Sequence, residues 1–439
     1  MIAIGVFALL VVSYGLVSGR LEGTPITAPM VFVTAGLVVG ATSALDFGAA
    51  VTPLAGDQVL QLSGRAFLSV AEIALALVLF TDAARLRLRT IRGNAQLPGR
   101  LLLLGLPLTI ALTGAVAFLL LGEELIFWEA MLLATIVAPT DAALGESVVS
   151  SEALPVRIRQ GLNVESGLND GLAVPLFTIF LALAVAEEVV TAASAATVVA
   201  EKIGLGLAVG IGVGMVGGWL VRGSVRRGWM TGLFQQLTIA SLGVFAWWSA
   251  EEIGGSGFIA AFVGGLVAGH LIREIGESIV DFTEDVGQLL NLFIFFAFGV
   301  IAWGLLELVT WQVVVFAALA LTVLRMVPVA LALIGMRFGW PTIAFLGWFG
   351  PRGLASIILA FLAIAEEPSL PGLTTVVVAS AVVVLLSVYA HGLSAAPFVQ
   401  LYARWCQTMD HPGPEMKSVP ELPTRMGMVG HGGQDQPSD

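Results

Sequence analysis

The chain has 439 residues, of which 57% are hydrophobic and only 12% charged, with a formal net charge of −11 and a mean hydropathy of +0.95. No soluble domain of this length has a core large enough to hide that much apolar surface, so composition points to an all-α polytopic membrane protein. Only Lys202 and Lys417 are lysines and the acids sit mostly in short loops and the tail, so nucleic-acid binding has no support, and the single cysteine, Cys406, excludes a disulfide framework or a Cys-based metal site.

The alternating pattern of a transmembrane barrel is absent, and the apolar runs have helical length. They predict roughly thirteen spans, near 2–18, 28–44, 64–84, 98–121, 125–148, 157–186, 195–221, 233–250, 256–272, 285–303, 311–335, 341–364 and 373–402. The first lacks a basic leader and a clear small-residue cleavage site, so it is expected to stay in the mature chain. Residues 404–439, polar and bearing Pro, Gly and Met, read as a short disordered cytoplasmic tail.

Polar residues then interrupt the apolar spans in chain order. Glu72 stands alone in the third span. Such an acid marks an ion or proton path or is a protonated group bonded to a neighbouring backbone. In the fifth span, Pro139 removes a backbone donor, and Thr140 or Asp141 suits the N-cap of a restarted helix. This is a break facing a cavity, or a simple proline kink with a solvating acid. The sixth span opens on Asn163-Val164-Glu165-Ser166-Gly167-Leu168-Asn169-Asp170. A charge at the bilayer centre costs about 2.5–3.5 kcal/mol, so this polar density needs a compensating reason. Glu165 with Asn169, and Ser166 with Asp170, are i, i+4 pairs on adjacent stripes, so one side of the helix presents all four. A plainer reading is a helix entrance that dips into the interface.

The run of glycines from Gly204 to Gly218 reads as close helix packing and not as a phosphate loop, since no Gly-Lys-Ser/Thr follows. Arg325 in the eleventh span stays charged and needs an anion, for which Glu165 is the candidate; snorkelling is the alternative. In the twelfth span Gly350-Pro351-Arg352-Gly353 cannot be a regular helix interior, and Arg352 can neutralise the free carbonyls where a helix stops. The breaks at Pro139 and Pro351 lie about seven spans apart, the offset of an inverted repeat with paired broken helices. His391 and His270 read as hydrogen-bonded structural residues before proton relays.

The loops test this order. Arginine falls in the odd loops, at Arg20, at Arg85, Arg87, Arg89 and Arg92, at Arg157 and Arg159, at Arg222, Arg226 and Arg227, at Arg273 and at Arg337. Acids fall in the even ones, at Asp46 and Asp57, Glu123 and Glu124, Glu187 and Glu188, Glu251 and Glu252, Glu307, and Glu366 and Glu367; Glu274 and Glu277 follow Arg273. The positive-inside rule then sets the N-terminus outside and the C-terminus in the cytoplasm.

At these residues the chain resembles the NhaP/NHE-type monovalent cation:proton antiporter family. Glu165-Ser166-x-x-Asn169-Asp170 looks like its sixth-helix signature, Thr140-Asp141 after a mid-helix break like its fifth helix, Arg325 and Pro351-Arg352-Gly353 like its two late arginines, and Glu72 like its third-helix acid. Asp141-Ala142 departs from the Asp-Pro of many members. The resemblance covers roughly residues 1–403 and implies an antiporter fold of thirteen helices, usually a homodimer in the cell membrane. It implies a mobile core near 98–186 and 311–402 against a dimerisation unit near 1–84 and 233–303. Asp170 would bind cation or proton; Ser166, Glu72 and the Thr140 backbone would complete the shell with Asp141 nearby; Glu165, Asn169, Arg325 and Arg352 would brace it. The transported ion would be Na+, with K+ as the alternative, exchanged one for one with H+ because Asn169 and not a second acid precedes Asp170, and no cofactor is implied. An intramembrane protease using Asp141 with Asp170, or Ser166 with His391, is disfavoured because Gly-x-Gly-Asp is absent and Val164 stands where Gly-x-Ser needs Gly. A channel or non-transporting sensor is the third class.

Overall fold

The computed structural model describes residues 2–21, 24–42, 63–86, 95–141, 144–189, 192–273, 281–367, 369–408 and 413–419. Asp46, Asp57, Arg87, Arg89, Arg92, Ala142, Glu274, Glu277 and the tail from residue 420 lie outside the described residues, as do the side chains of Glu187 and Glu188. Among the described residues the structure is helical and holds no strand. In order the helices are α1 Ile2–Leu21, α2 Ala28–Ala41, α3 Ser63–Arg85, α4 Gln96–Leu121, α5 Phe127–Val137, α6 Glu146–Val149, α7 Val156–Val189, α8 Ala192–Arg226, α9 Gly232–Glu252, α10 Gly257–Ile272, α11 Asp281–Leu305, α12 Trp311–Leu321, α13 Val323–Ala332, α14 Trp340–Trp348, α15 Leu354–Glu366 and α16 Leu373–Gln407. Six spans among the described residues are each long and apolar enough to cross a membrane, as expected of a multi-pass protein whose backbone polar groups must be satisfied within helices.

Two sets of helices pack among themselves. One joins α2, α3 and α8 to α11; the other joins α4 to α7 with α12 to α16. They meet where α7 lies along α3, α8 and α10, and where α15 touches α3 and α11. Phe7 of α1 fits edge-on to Phe32 and Phe293, fastening α1 to α2 and α11. The glycine run does what its composition predicts. Side chains at 206, 210 and 214 would begin 2.6–2.7 Å from the carbonyls of Ser256, Ala260 and Gly264, so α8 and α10 meet backbone to backbone.

Both predicted breaks are present. α5 stops at Val137 and short α6 resumes at Glu146; α14 stops at Trp348 and α15 resumes at Leu354. The eleventh span, read as one segment near 311–335, is also interrupted, at Thr322 between α12 and α13. Thr322 bonds its hydroxyl back to the Ala318 carbonyl at 2.7 Å, a competition with the helix ladder that bends helices.

The tail expected to be disordered from residue 404 is corrected in two parts: α16 runs on to Gln407, and residues 413–419 are folded against the helices. Glu415, 1% exposed, accepts from the Gly339 amide at 2.7 Å and the Thr342 hydroxyl at 3.0 Å, capping the start of α14. Arg157, at the start of α7, donates to the Pro414 carbonyl at 2.5 Å and stacks 5.0 Å over Phe338. Polar composition hid this, because a single buried carboxylate on a helix N-terminus carries the contact.

Candidate functional site

The site is built where the two broken helices cross. The Asp141 amide donates to the Pro351 carbonyl at 2.7 Å, so the two unwound segments hydrogen-bond directly. Each break also supplies the countercharge for the other. Asp141 Oδ2 accepts from the Leu354 amide at 2.6 Å, at the positive end of α15, while Oδ1 accepts from the Leu144 amide at 3.3 Å, beside its own restart. Arg352 Nη1 donates to the Ala138 and Pro139 carbonyls at 2.6 and 3.2 Å, at the negative end of α5. Both residues are buried, at 6% and 1% exposed. The fit leaves no room for a side chain at two positions. A Cβ at Gly350 would lie 2.7 Å from Arg325 Nε, and one at Gly353 would collide with Asp141 Oδ2.

A chain of donors closes the second break. The Arg352 amide donates to Ser387 Oγ at 2.6 Å, Ser387 Oγ lies 3.0 Å from His391 Nδ1, and His391 Nε2 lies 2.9 Å from the Trp348 carbonyl. The Ser387 carbonyl also lies 3.1 Å from His391 Nδ1, so both ring nitrogens have oxygen partners. His391 therefore caps the end of α14, in the structural place expected of it.

The polar face of α7 packs onto this crossing. Ser166 Oγ donates to the Thr140 carbonyl at 2.6 Å, and Asn169 Nδ2 donates to Thr140 Oγ1 at 2.5 Å. Asp170 lies one turn beyond Ser166, 8% exposed, within the electrostatic reach of Arg352. Glu165 Oε1 and Arg325 Nη2 are 2.5 Å apart, 2% and 1% exposed, so the predicted pair exists. A small cavity borders Thr140, Asp141, Glu165, Ser166 and Pro351. Within this cluster three carboxylates, Glu165, Asp141 and Asp170, stand against two guanidiniums, Arg325 and Arg352. That leaves one negative charge, with hydroxyl, carbonyl and carboxylate oxygens close by, which is the donor set a hard monovalent cation prefers.

Glu72 is not part of the cluster. It is half-buried on α3, and the acids near it are Glu251 and Glu366. The acid that α3 does bring to α7 is Asp82, whose Cβ lies 3.8 Å from where a side chain on Gly167 would begin. Ten residues of helix separate Glu72 from Asp82, about 15 Å of rise, which accounts for the correction. Asp82 stands three residues before Arg85 and reads as the wet end of a span; the Phe80-Thr81 that precedes it in an apolar register was the available signal. Sequence reasoning also passed over Glu129, 1% exposed, which accepts from the Ile126 amide at 3.0 Å and the Gly372 amide at 2.8 Å, starting α5 and α16 together.

At the other end of Glu72 lies a second polar group. Lys202 Nζ bonds Glu366 Oε2 at 2.6 Å, and Glu251 Oε1 accepts from the Gly257 amide at 2.7 Å. This set joins α8, α9 and α10 to the end of α15 and lines a cavity with Thr178 of α7.

Comparisons with known proteins fit this arrangement. The fold is similar to that of the sodium proton antiporter MjNhaP1 from Methanocaldococcus jannaschii, with a TM-score of 0.72 at 20% identity over 92% of this chain and 99% of that one. In sequence the chain is 26% identical over 335 residues to a K(+)/H(+) antiporter NhaP2 from Shewanella sp. (strain ANA-3), covering 76% of this chain and 57% of the relative. It is 28% identical over 411 residues to the K(+)/H(+) antiporter NhaP of Alkalimonas amylolytica, covering 92% of this chain and 66% of the relative. The chain thus spans between about half and two thirds of the length of these curated relatives. The family model for the transmembrane part of sodium/hydrogen exchangers matches residues 6–401, and the chain belongs to that monovalent cation:proton antiporter family.

Proposed function

We propose that the chain is a secondary active transporter that exchanges a monovalent cation for a proton by alternating access, with Asp170 as the carboxylate for which the two compete. The observation that carries this reading is the packing of the Ser166–Asp170 face of α7 onto crossed helix breaks whose own charges are already matched. Glu165 is held by Arg325 and Asp141 by the α15 amide, and Asp170 stands one turn beyond Ser166 on the face of α7 that packs onto the crossing. Ser166 Oγ and the Thr140 carbonyl, 2.6 Å apart, each keep a lone pair for a cation beside it. Asn169 holds Thr140 in place through its amide. Neutralised by either ligand, the cluster carries no net charge, and it then crosses the low-dielectric barrier at least cost.

Sodium is the cation of this proposal. Potassium is the second reading, favoured by the names of the Shewanella and Alkalimonas relatives. The arginine-rich loops support a cytoplasmic C-terminus in the cell membrane. The division into two packed helix sets supports a core that moves against a unit of α1 to α3 and α9 to α11, the unit through which a homodimer would form. The test is dequenching of a pH-sensitive dye in proteoliposomes on adding NaCl, LiCl or KCl. Wild type is expected to respond with a half-saturation that differs among the three, and Asp170→Asn, folded and inserted, is expected to give none. A mutant response equal to wild type refutes the role of Asp170.

A further inference from the structure

Beyond Asp170, on the side away from Arg157, α7 meets α8, α15 and the turn from α9 to α10 around a cavity of ≈ 20 Å³. Its lining includes Val174 and Thr178 of α7, Lys202 of α8, Glu251 and Ser256 of the turn, and Glu366 of α15. The stripe of α7 that carries Ser166 and Asp170 continues at the same spacing through Val174 to Thr178. The cavity therefore begins one turn beyond Asp170, about 6 Å of rise. The Phe262 ring packs directly on Gly171 and fills the level just past the carboxylate.

An ion pair spans the mouth of the cavity. Lys202 Nζ donates to Glu366 Oε2 at 2.6 Å, with both side chains partly exposed. Its members belong to different helix sets. The Lys202 carbonyl accepts from the Ser256 amide at 2.9 Å, which ties the lysine to the start of α10. Glu366 is the last residue of α15, whose first amide holds Asp141 at the helix crossing. Among the described residues α8 and α15 do not pack along one another, so the pair bridges a gap between them.

We propose that the Lys202–Glu366 pair is a gate: closed as here, it seals the outer route to Asp170, and it parts when the set containing α15 moves against the set containing α10. The proposal rests on the alternating-access reading and on the cytoplasmic placement of the arginine-rich loops. Those loops put the acid-bearing ends of α9 and α15 on the outer side. A contact between two sets that move as rigid bodies has to break when they move. Its weakness suits that use, because a partly exposed pair is cheap to open in every cycle. Charge acts in the same sense. While the gate is closed an ammonium stands over the mouth and repels an arriving cation; once it parts, Glu251 and Glu366 face the opening without it.

The test uses the full-length chain with Cys406→Ser, which removes its single thiol, and Thr178→Cys inside the cavity. Right-side-out membrane vesicles are labelled from outside with a membrane-impermeant methanethiosulfonate. Labelling is expected to be slow, and Lys202→Met is expected to speed it roughly fivefold, the equivalent of about 1 kcal/mol. The charge swap of Lys202→Glu with Glu366→Lys is expected to restore slow labelling. Val174→Cys replaces Thr178→Cys if that variant fails to fold. Equal rates with and without Lys202→Met overturn the proposal, as does a swap that labels as fast as Lys202→Met, or labelling from the cytoplasmic side alone. Labelling needs no exchange activity, so its failure removes the gate and leaves the proteoliposome test of Asp170 standing.

Discussion

The Glu165–Arg325 pair offers the sharpest quantitative test of how this site is held. Its partners are 2% and 1% exposed and 2.5 Å apart, so the buried regime applies and not the 0–1 kcal/mol of a surface pair. Two charges about 4 Å apart at an effective dielectric near 20 attract by about 4 kcal/mol. Removing one member of a buried pair costs about 3–5 kcal/mol, most of it the penalty on the survivor. Arg325 has little else to turn to, since its Nε has no hydrogen-bond partner. Arg325→Ala and Glu165→Ala are therefore each expected to lose about 3–5 kcal/mol of stability. The double mutant leaves a cavity but no lone charge, so it should lose at least about 2 kcal/mol less than the sum. The assay is chemical denaturation in detergent micelles followed by tryptophan fluorescence, repeated at low and high salt. The coupling should persist in high salt, which screens exposed charges far more than buried ones. Additivity within about 0.5 kcal/mol, or a coupling that disappears in salt, would refute the pairing argument.

Lys202 and Glu366 provide the contrast: with side chains 35% and 33% exposed, their separation by Lys202→Met should cost under about 1 kcal/mol in the same denaturation assay. Gly350→Ala places a methyl 2.7 Å from Arg325 Nε and 3.1 Å from Thr140 Cγ2, and is expected to destabilise by about 1–3 kcal/mol and to slow exchange in proteoliposomes. Glu415→Ala should uncap α14 and lower stability by about 1–2 kcal/mol, and truncation after Thr408, which also takes away the Pro414 acceptor of Arg157, should lower it further in a thermal melt. For stoichiometry, one titrating carboxylate per site predicts exchange whose reversal point ignores membrane voltage, since a moved charge would feel about 2.3 kcal/mol per 100 mV. Valinomycin with potassium sets the voltage in sodium-loaded proteoliposomes, and a reversal point that follows it would bring a second acid into the cycle.

The parts of this fold legible in the sequence are those where lipid leaves the chain no choice. Pro139 and the Gly-Pro-Arg-Gly run break helices because a missing donor and a missing Cβ act locally, wherever the helix sits. Arg325 found Glu165 because a guanidinium keeps its charge and apolar surroundings demand an anion. The glycine run found α10 because small residues spaced by four leave a groove. What stayed hidden depends on depth and on tertiary neighbours. Glu72 and Asp82 lie on one helix, and nothing in their spacing tells which level α7 occupies. Asp141 was expected at the start of its own half-helix, and the sequence carries no sign that its other oxygen serves α15. Glu415 sits in a polar tail where a buried acid has no compositional signature.

The exchange of countercharges between the two breaks has a consequence in time. Asp141 waits for an amide 213 residues further along the chain, and Glu165 waits for Arg325. At about 5–20 residues per second, synthesis leaves Asp141 without its partner for roughly 10–40 s. During that interval the first broken helix sits in or near the bilayer with an uncapped acid and uncovered carbonyls, each a group that hydrocarbon penalises. The early half of the protein is thus a poor membrane resident until its counterpart arrives. A ribosome stalled between the two breaks leaves a fragment that hydrated interfaces, insertion machinery or proteases hold better than lipid does.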